Sequence, residues 1–280
     1  MNDRSNIDFS SIHYLESVES YVPGLRIPDV VARYGVPLEK IAKLASAENP
    51  LGPSPMAVKA IRNALKELSL YPDWRAEKLR DAIAQHNHVR TEQVIVGSGE
   101  TELLSYIIQA FSEQGEEILF PIPTFPVYEQ TALVERRRPV SVFMGKDFRI
   151  DPEKLLHAVT KRTRVLILTS PNNPLSTVIE REKLMYILDN LSPDMLVLLD
   201  EAYVDYSEIG TQTDLLHQYP NLAILRTFSK IYGLAGLRVG YCMAHEVIVQ
   251  ALMKTKPIWN VGILAVAGAT AALRDKEHYE

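Results

Sequence analysis

The sequence has little of what marks secreted, membrane-bound, nucleic-acid-binding or metal-binding proteins. Cys242 is its only cysteine, so an intrachain disulfide is excluded and a reducing compartment, the cytoplasm, is expected. The most apolar late stretch, from Val261 to Leu273, is too short to span a bilayer. Basic residues (30) do not outnumber acidic ones (35), which argues against nucleic-acid and anionic-membrane partners. No spacing of His, Cys and carboxylates suggests a metal site.

What is present is an ordinary globular composition. Hydrophobic residues make up 46% and charged residues 23% of the 280 positions, which excludes wholesale disorder. Glycine (13) and proline (17) are too few for collagen-like or low-complexity material. A chain of this length predicts one large or two modest domains with a sizeable core.

Short apolar runs alternate with helical patterns along most of the chain. The runs predict strands at Val94–Val96, Glu117–Phe120, Val140–Phe143, Val165–Thr169, Leu196–Leu199 and Leu222–Leu225. Helices are predicted at Arg75–His88, Glu100–Ser112, Asp151–Thr160 and Glu180–Asn190, and one more beginning at Pro55 with Ser54 as its cap. This alternation predicts an α/β fold whose mostly parallel sheet is covered by helices on both faces.

Polar or ionisable residues follow four of the predicted strands. The four segments are Gly97-Ser-Gly-Glu-Thr, Ser170-Pro-Asn-Asn-Pro, Asp200-Glu-Ala-Tyr and Arg226-Thr-Phe-Ser-Lys. Ligands of open α/β sheets bind at the carboxyl ends of the strands. We therefore expect the four segments to form one shared site.

The glycine segment allows two interpretations. Gly97 and Gly99 lie between a strand and a helical pattern that begins at Glu100, and the N-terminus of a helix favours an anion such as phosphate. A tight turn that needs glycine for its torsion angles explains the same residues. The third glycine of the dinucleotide-binding fingerprint is absent.

Ionisable side chains at the other strand ends are also open to more than one role. A partly buried Lys230 would lose its proton more easily and could condense with a carbonyl, whereas an exposed lysine is only solvated. Arg238 could bind a phosphate or form a salt bridge. Asp200 ends an apolar strand and needs a cation, either a metal or a protonated ring nitrogen. Asn173 and Tyr203 offer hydrogen-bonding groups to the same site, although Pro-Asn-Asn-Pro also fits a plain turn.

A set of longer stretches carries a family resemblance. It consists of Lys43-Leu-Ala-Ser-Ala-Glu-Asn-Pro-Leu-Gly-Pro-Ser-Pro, Tyr71-Pro-Asp, Pro123-Thr-Phe-Pro-Val-Tyr, Ser170-Pro-Asn-Asn-Pro, Asp200-Glu-Ala-Tyr and Arg226-Thr-Phe-Ser-Lys-Ile-Tyr-Gly-Leu-Ala-Gly-Leu-Arg-Val-Gly-Tyr. With it the chain, from about Tyr21 onward, resembles fold-type I pyridoxal-phosphate aminotransferases, most of all the histidinol-phosphate aminotransferase family. The last stretch is highly specific, whereas Pro-Asn-Asn-Pro alone is not.

The resemblance implies a cofactor, pyridoxal 5'-phosphate, and roles for the residues around its ring. Lys230 is expected to bond covalently to the cofactor and to act as the catalytic base. Asp200 would pair with the ring nitrogen, and Asn173 and Tyr203 would hydrogen-bond the phenolic oxygen. Phe125 would stack on the ring. Lys230, Asp200 and Tyr203 are therefore the expected catalytic residues.

The resemblance also implies a phosphate site, a substrate site and a partner. The phosphate would be held by the backbone of Glu100 and Thr101 and by Thr227, Ser229 and Arg238. Tyr71 would reach the phosphate of the neighbouring subunit, which implies a homodimer with shared active sites. Tyr21 and Asn49 are expected near the substrate.

The implied architecture is a three-layer αβα large domain with an incomplete small domain. We expect residues 1–45 to form an N-terminal arm and part of the small domain, 46–258 the cofactor-binding domain, and 259–280 a linking helix. Relatives continue past Glu280, and that part usually carries an arginine of the substrate site. Ala47 stands where the family usually has asparagine, which places substrate binding in question. Trp74 and Leu175-Ser176 also depart from the family pattern.

The expected reaction is transamination between an amino donor and a 2-oxo acid. The resemblance favours histidinol phosphate and 2-oxoglutarate, giving imidazole acetol phosphate and glutamate. An aromatic amino acid aminotransferase and a phosphothreonine decarboxylase share the same lysine and carboxylate and remain open. A non-catalytic remnant that only binds the cofactor is the alternative from a different class, favoured by the short chain and by Ala47.

Overall fold

The computed structural model describes residues 14–15 and 18–280. Seven strands form one sheet in the order β1-β7-β6-β5-β4-β2-β3. The strands are β1 Val94–Gly97, β2 Glu117–Ile122, β3 Arg138–Phe143, β4 Thr163–Thr169, β5 Leu196–Asp200, β6 Leu222–Thr227 and β7 Gly240–Ala244. Only β7 runs antiparallel to its neighbours, β1 and β6. The carboxyl ends of the other six strands therefore lie at one edge of the sheet.

Helices cover both faces of this sheet. The α-helices of the described residues are α1 Ile27–Tyr34, α2 Pro55–Ala64, α3 Glu77–Asn87, α4 Glu100–Phe111, α5 Val127–Val134, α6 Pro152–His157, α7 Arg181–Asn190, α8 Glu246–Thr255, α9 Ile263–Ala272 and α10 Lys276–Tyr279. Buried residues of α2, α3, α6, α7 and α9 join the core on one face, and those of α4, α5 and α8 join the core on the other. The predicted three-layer α/β fold is confirmed.

Strand β5 shows why the sequence folds this way. All five of its residues are buried, with Val197 and Leu199 in one core and Leu196 and Leu198 in the other. Successive side chains of a strand point to opposite faces, so a fully apolar run requires cover on both. The charged end of the run, Asp200, then lies at the rim where the helices leave room for a cavity.

All six predicted strands form, and most extend one or two residues beyond the predicted bounds. The seventh strand, β7, is missing from the prediction because Gly240-Tyr-Cys-Met-Ala carries no β-branched residue and begins with glycine. The helix predicted at Pro55 is present as α2, and Ser54 Oγ accepts a hydrogen bond from the Ala57 amide at 3.2 Å. The predicted helix Asp151–Thr160 ends earlier, at His157.

The predicted linking helix at 259–280 is two helices in the structure, α9 and α10. Asp275 separates them and caps α10 by accepting a hydrogen bond from the His278 amide. Helix α9 packs on α2 and α3, and Ala265 and Ala269 are buried in the core. The first part of the predicted arm, residues 1–13 and 16–17, lies outside the described residues. Among the helices described, none is long and apolar enough to cross a membrane.

Candidate active site

A cavity of about 640 Å³ opens at the carboxyl ends of β4, β5 and β6 and at the N-terminus of α4. It brings together residues from all four strand-end segments and from other parts of the chain. The predicted site residues that line it are Tyr21, Glu100, Thr101, Phe125, Asn173, Asp200, Tyr203, Thr227, Ser229, Lys230 and Arg238. The prediction of one shared site is therefore supported by the geometry.

Lys230 lies just beyond the end of β6 and is half-buried at the cavity wall. Its Nζ donates a hydrogen bond to the Ser46 carbonyl at 3.1 Å and lies 5.2 Å from the centroid of the Tyr203 ring. Burial lowers the pKa of the amine, and the negative charge of Asp200 opposes that shift. A larger fraction of the amine is therefore neutral than in an exposed lysine.

Asp200 is 1% exposed and both of its oxygens are held. Oδ1 accepts a hydrogen bond from the Ala202 amide at 2.9 Å, and Oδ2 accepts one from Tyr128 Oη at 2.5 Å. Burial raises the pKa of the carboxyl, and hydrogen bonds from Glu100, Tyr128 and Ala202 counteract the rise. A carboxylate fixed in this way can pair with a cationic nitrogen placed in the cavity.

The side chain of Glu100 is a feature that sequence reasoning missed. The prediction used only its backbone, but Glu100 lines the cavity together with Asp200, and the two carboxyls influence each other's pKa. Burial, together with the neighbouring charge of Asp200, raises the pKa of Glu100 well above its ordinary value. A raised pKa favours the neutral carboxylic acid, which can donate to a neighbouring carboxylate. In the sequence, Glu100 only follows a glycine turn at the start of a helix, and nothing in that pattern predicts where its side chain points.

The predicted phosphate residues form a cradle at the start of α4. The first amides of a helix have no carbonyl partner within it and favour an anion. A Cβ atom on Gly99 would lie 2.5 Å from Nη2 of Arg238, so only glycine lets the guanidinium approach the helix start. Ser229 Oγ lies 3.0 Å from Thr227 Oγ1 and 3.5 Å from Arg238 Nη1. Amides, hydroxyls and a guanidinium thus converge as a phosphate monoester requires.

The ring-binding residues predicted from Pro-Asn-Asn-Pro and Asp-Glu-Ala-Tyr also meet. Asn173 Nδ2 donates to Tyr203 Oη at 3.4 Å, and burial raises the pKa of Tyr203 to about 12. Phe125 lies at the cavity wall and packs edge-on against Tyr128, with ring centroids 5.8 Å apart. Two hydrogen-bonding groups and an aromatic face therefore border the space between Lys230 and Asp200.

Two predicted residues lie away from this cavity. The Asn49 side chain donates to the Ile231 carbonyl at 2.8 Å and accepts from the Leu51 amide at 2.9 Å, so it braces a loop. Tyr71 is 76% exposed, and its ring stacks on Trp259 at 4.1 Å between centroids. Across residues 14–15 and 18–280, no three His, Cys, Asp or Glu side chains are grouped to hold a metal ion.

The residues that line the cavity are chemically suited to bind pyridoxal 5'-phosphate. The phosphate cradle, the half-buried Lys230 and the buried Asp200 match the phosphate, the aldehyde carbon and the ring nitrogen of that molecule. A carboxylate as deeply buried as Asp200 favours a ligand that places a positive charge beside it. These residues therefore suit pyridoxal 5'-phosphate, and they define the class of the protein as an enzyme that depends on this cofactor.

The chain belongs to the family of class I and II aminotransferases, whose family model matches residues 39–280. It is 41% identical over 268 residues to the histidinol-phosphate aminotransferase of Anaeromyxobacter sp. (strain Fw109-5), covering 95% of this chain and 73% of that protein. It is 38% identical over 262 residues to the histidinol-phosphate aminotransferase of Methanosarcina mazei, covering 93% of this chain and 70% of that protein.

A solved structure gives the same result. The histidinol-phosphate aminotransferase from Sinorhizobium meliloti in complex with pyridoxal-5'-phosphate superimposes with a TM-score of 0.87 at 28% identity, covering 99% of this chain and 74% of that one. The predicted family, the enzyme class and the pyridoxal 5'-phosphate cofactor are confirmed. The roles of the individual residues remain predictions.

Proposed function

We propose that this enzyme transfers the amino group of histidinol phosphate to 2-oxoglutarate, giving imidazole acetol phosphate and glutamate. One observation carries the proposal: Lys230, Asp200 and a phosphate cradle converge on one cavity. The choice of donor is supported by the names of relatives at 41% and 38% identity.

The cofactor would be held at three points of the cavity. Its phosphate would bind the amides at the start of α4 and the guanidinium of Arg238. Its ring would lie between Phe125 and the opposite wall, with Asp200 facing the ring nitrogen. Asn173 and Tyr203 would donate to the phenolic oxygen. The bound cofactor supplies a conjugated ring that accepts the electron pair left on the substrate carbon when its proton leaves.

The chain's own residues control the protons of the reaction. Lys230, with its lowered pKa, takes the proton from the carbon next to the substrate amine and returns one on the way to the keto product. Asp200 keeps a proton on the ring nitrogen, because an ionised carboxylate favours the cationic form. The second half-reaction returns the amine to the acceptor, so ping-pong kinetics are expected.

The central test is chemical labelling of the lysine. Protein mixed with pyridoxal 5'-phosphate should gain a visible absorbance band, and borohydride followed by peptide mass spectrometry should place the label on Lys230. Lys256 offers a matched control, because burial lowers the pKa of this second lysine outside the cavity. Lys256→Ala should label normally and Lys230→Ala should not. A label on any other lysine would contradict the proposal.

A panel of donors then tests the substrate. Purified enzyme is given histidinol phosphate, an aromatic amino acid and O-phosphothreonine, each with 2-oxoglutarate. Glutamate should form fastest with histidinol phosphate. Turnover only with the aromatic donor, or carbon dioxide release from O-phosphothreonine, would assign one of the two alternatives. Labelling of Lys230 without turnover of any donor would support a binding remnant.

We further propose a homodimer in which Tyr71 completes the site of the partner subunit. Tyr71 is exposed within this chain, and Leu68, Leu70 and Ile258 near it are 60%, 64% and 66% exposed. Exposed apolar patches of this kind mark association surfaces. Mixing inactive Tyr71→Ala and Lys230→Ala subunits should restore activity, because a mixed dimer contains one site with both residues intact. No recovery in a verified mixed dimer would contradict the shared site.

The remaining proposals concern domains and cellular location. We propose that residues 46–258 form the cofactor-binding domain, with 1–45 and 259–280 belonging to the arm and the link to a small domain. A cytoplasmic location is proposed because the sequence holds a single cysteine, Cys242, which is a free thiol and fits a reducing compartment. Limited proteolysis tests the domain boundaries, and cell fractionation tests the location.

A further inference from the structure

Tyr128 is a buried residue that the steps above do not use. It lies in the first turn of α5 and is 1% exposed. Its hydroxyl donates to Asp200 Oδ2 at 2.5 Å and lies 2.9 Å from Thr169 Oγ1. A buried tyrosine hydroxyl usually finds a hydrogen-bond partner, and here that partner is the carboxylate of a proposed catalytic residue.

We propose that Tyr128 is a positioning residue that fixes the orientation of Asp200 and keeps it ionised. The proposal rests on the role proposed above for Asp200, which faces the ring nitrogen of the cofactor. Tyr128 lines the cavity beside Asp200, and in this proposal it acts on the reaction only through Asp200.

The geometry supports a two-point clamp on the carboxylate. The Ala202 amide holds Oδ1 from the loop after β5, and Tyr128 holds Oδ2 from α5. Two donors on different elements fix the plane of the carboxylate, which a single donor would leave free to rotate. The remaining lone pairs can then face the cavity.

Thr169 sets the direction of the phenol hydrogen. It lies directly beside Asp200 in the register of β4 and β5, at the carboxyl end of both strands. Because the phenol donates its one hydrogen to Asp200, the hydroxyl of Thr169 must donate to the phenol oxygen. The chain Thr169 to Tyr128 to Asp200 is thus directed toward the carboxylate, and such chains strengthen their members.

The electrostatics point in the same direction. Burial favours the neutral form of Asp200, and a hydrogen bond to its charged form opposes that effect. Glu100 and Lys230 also face the carboxyl. Burial and the charge of Asp200 raise the pKa of Tyr128 well above its ordinary value, so the phenol stays a donor at every working pH. Tyr128 therefore supports the anionic Asp200 without exchanging a proton itself.

The same short segment also places Phe125. Phe125 packs edge-on against Tyr128 with ring centroids 5.8 Å apart, and the tilted ring of Phe120 has its centroid 6.3 Å away. The phenol ring is therefore held by two aromatic neighbours. The turn that begins α5 would supply both the stacking aromatic and the support of Asp200.

Tyr128→Phe tests the proposal because it removes one oxygen and keeps the ring. The chain offers a matched control in Tyr219→Phe, since Tyr219 is 7% exposed and donates to Asp189 Oδ1 at 2.8 Å, before β6 and away from the cavity. The readout is the nitrogen NMR shift of cofactor labelled at its ring nitrogen, followed from pH 6 to pH 9. Steady-state kcat and KM are measured on the same samples.

In Tyr128→Phe the ring nitrogen should lose its proton within this pH range, whereas in the parent enzyme and in Tyr219→Phe it should keep it. The value of kcat should fall about 10- to 100-fold, as expected for one hydrogen bond to a charged group, and KM should change far less. Should Tyr128→Phe fold poorly, Thr169→Val is used instead; it keeps the phenol, and the same changes are expected at smaller size.

Asp200→Asn separates this inference from the proposed function. If Asp200→Asn leaves the nitrogen signal of the parent, Asp200 does not face the ring nitrogen, and both the role proposed for Asp200 and the inference about Tyr128 fail, while the donor panel still tests the transamination itself. If Asp200→Asn alters the signal but Tyr128→Phe and Thr169→Val behave like Tyr219→Phe, only the positioning role of Tyr128 is overturned.

Discussion

Gly99 and Arg238 approach so closely that a Cβ atom at residue 99 would lie 2.5 Å from Nη2 of the arginine. Arg238 reaches this place from the segment between β6 and β7, and Gly99 precedes α4. The guanidinium and the first amides of the helix thereby face the same volume. An anion bound there would meet a fixed positive charge and a helix N-terminus at once.

Gly99→Ala should therefore weaken cofactor binding. The methyl group would displace Arg238, and the φ of +87° at this position disfavours any residue but glycine. We expect the dissociation constant for pyridoxal 5'-phosphate to rise about 10-fold or more, the effect of losing one charge-assisted hydrogen bond. Fluorescence titration measures it. Gly236→Ala is the control, because a Cβ at Gly236 meets nothing within 4 Å. Equal cofactor affinities of the two variants would show that Gly99 and Arg238 do not form the phosphate site.

Much of this site was predictable, because its residues follow their strands directly in sequence. Lys230, Asp200 and Asn173 each lie within a few residues of a strand end, and parallel strands bring those ends together. The resemblance then assigned them roles. The apolar runs likewise predicted six of the seven strands.

What escaped prediction depends on contacts between distant residues. Tyr128 and Asp200 are 72 residues apart, and although Tyr128 ends the stretch Pro123-Thr-Phe-Pro-Val-Tyr, that stretch does not show which residue its hydroxyl contacts. The side chain of Glu100 could equally have pointed to solvent. The placement of Asn49 near the substrate stays a prediction, and its hydrogen bonds to Ile231 and Leu51 were not foreseen. Each of these contacts is decided by tertiary packing, which local pattern does not encode.

A buried ion pair behind the site should dominate the stability of this region. Arg226 and Asp205 form a salt bridge with both side chains 5% exposed, and Arg226 also donates to Asn87 Oδ1 at 2.9 Å. Arg226→Met would leave the Asp205 charge buried without its partner, at a cost of about 3–5 kcal/mol in unfolding free energy. Urea denaturation measures the loss.

The surface pair Arg181–Asp214 provides the comparison for this prediction. Its side chains are 40% and 63% exposed, so Arg181→Met should cost no more than about 1 kcal/mol. The double variant Arg226→Met/Asp205→Asn should recover part of the loss, because the unpaired charge is then gone. Similar losses of unfolding free energy for Arg226→Met and Arg181→Met would show that the buried ion pair contributes no more to stability than the exposed one.

Glu201 should make stability depend on pH. It is 1% exposed, and burial raises its pKa to about 7 from the ordinary 4.5, with the charge of Arg226 opposing and that of Asp205 adding to the rise. The native state therefore binds more protons than the unfolded state between these two values. The stability linked to Glu201 is complete below about pH 4.5 and is lost as the pH rises through about 7.

Glu201→Gln should remove this dependence. Its oxygens accept from Thr211 Oγ1 at 2.6 Å and the Gln212 amide at 2.8 Å, so an amide costs some stability at every pH. That cost cancels when two pH values are compared. From pH 5 to pH 8 the parent should lose up to about 3 kcal/mol relative to Glu201→Gln in denaturant unfolding. Glu182→Gln, at an exposed position, is the control. If the unfolding free energy of the parent varies with pH in parallel with that of Glu201→Gln, Glu201 does not titrate with a raised pKa in the folded protein.

Glu100 should make cofactor binding depend on pH in a related way. Its carboxyl lies in the cavity against Asp200 and beside the phosphate cradle, and its raised pKa keeps it neutral well above pH 4.5. Once it ionises, two carboxylates and a phosphate meet in one desolvated volume. Like charges repel strongly when they are close together and shielded from water. Cofactor affinity should therefore fall with rising pH as Glu100 ionises. A glutamine at position 100 cannot ionise and should not show this effect.

Glu100→Gln keeps a neutral donor next to Asp200 at every pH. We expect the ratio of the parent's dissociation constant for pyridoxal 5'-phosphate to that of Glu100→Gln to increase between pH 6 and pH 9. Ionisation of the phosphate and of Lys230 affects both proteins and largely cancels in the ratio. Absorbance titration at several pH values provides the constants. A ratio that stays constant would mean that Glu100 does not ionise in the cavity, or that it turns away from the phosphate when the cofactor binds.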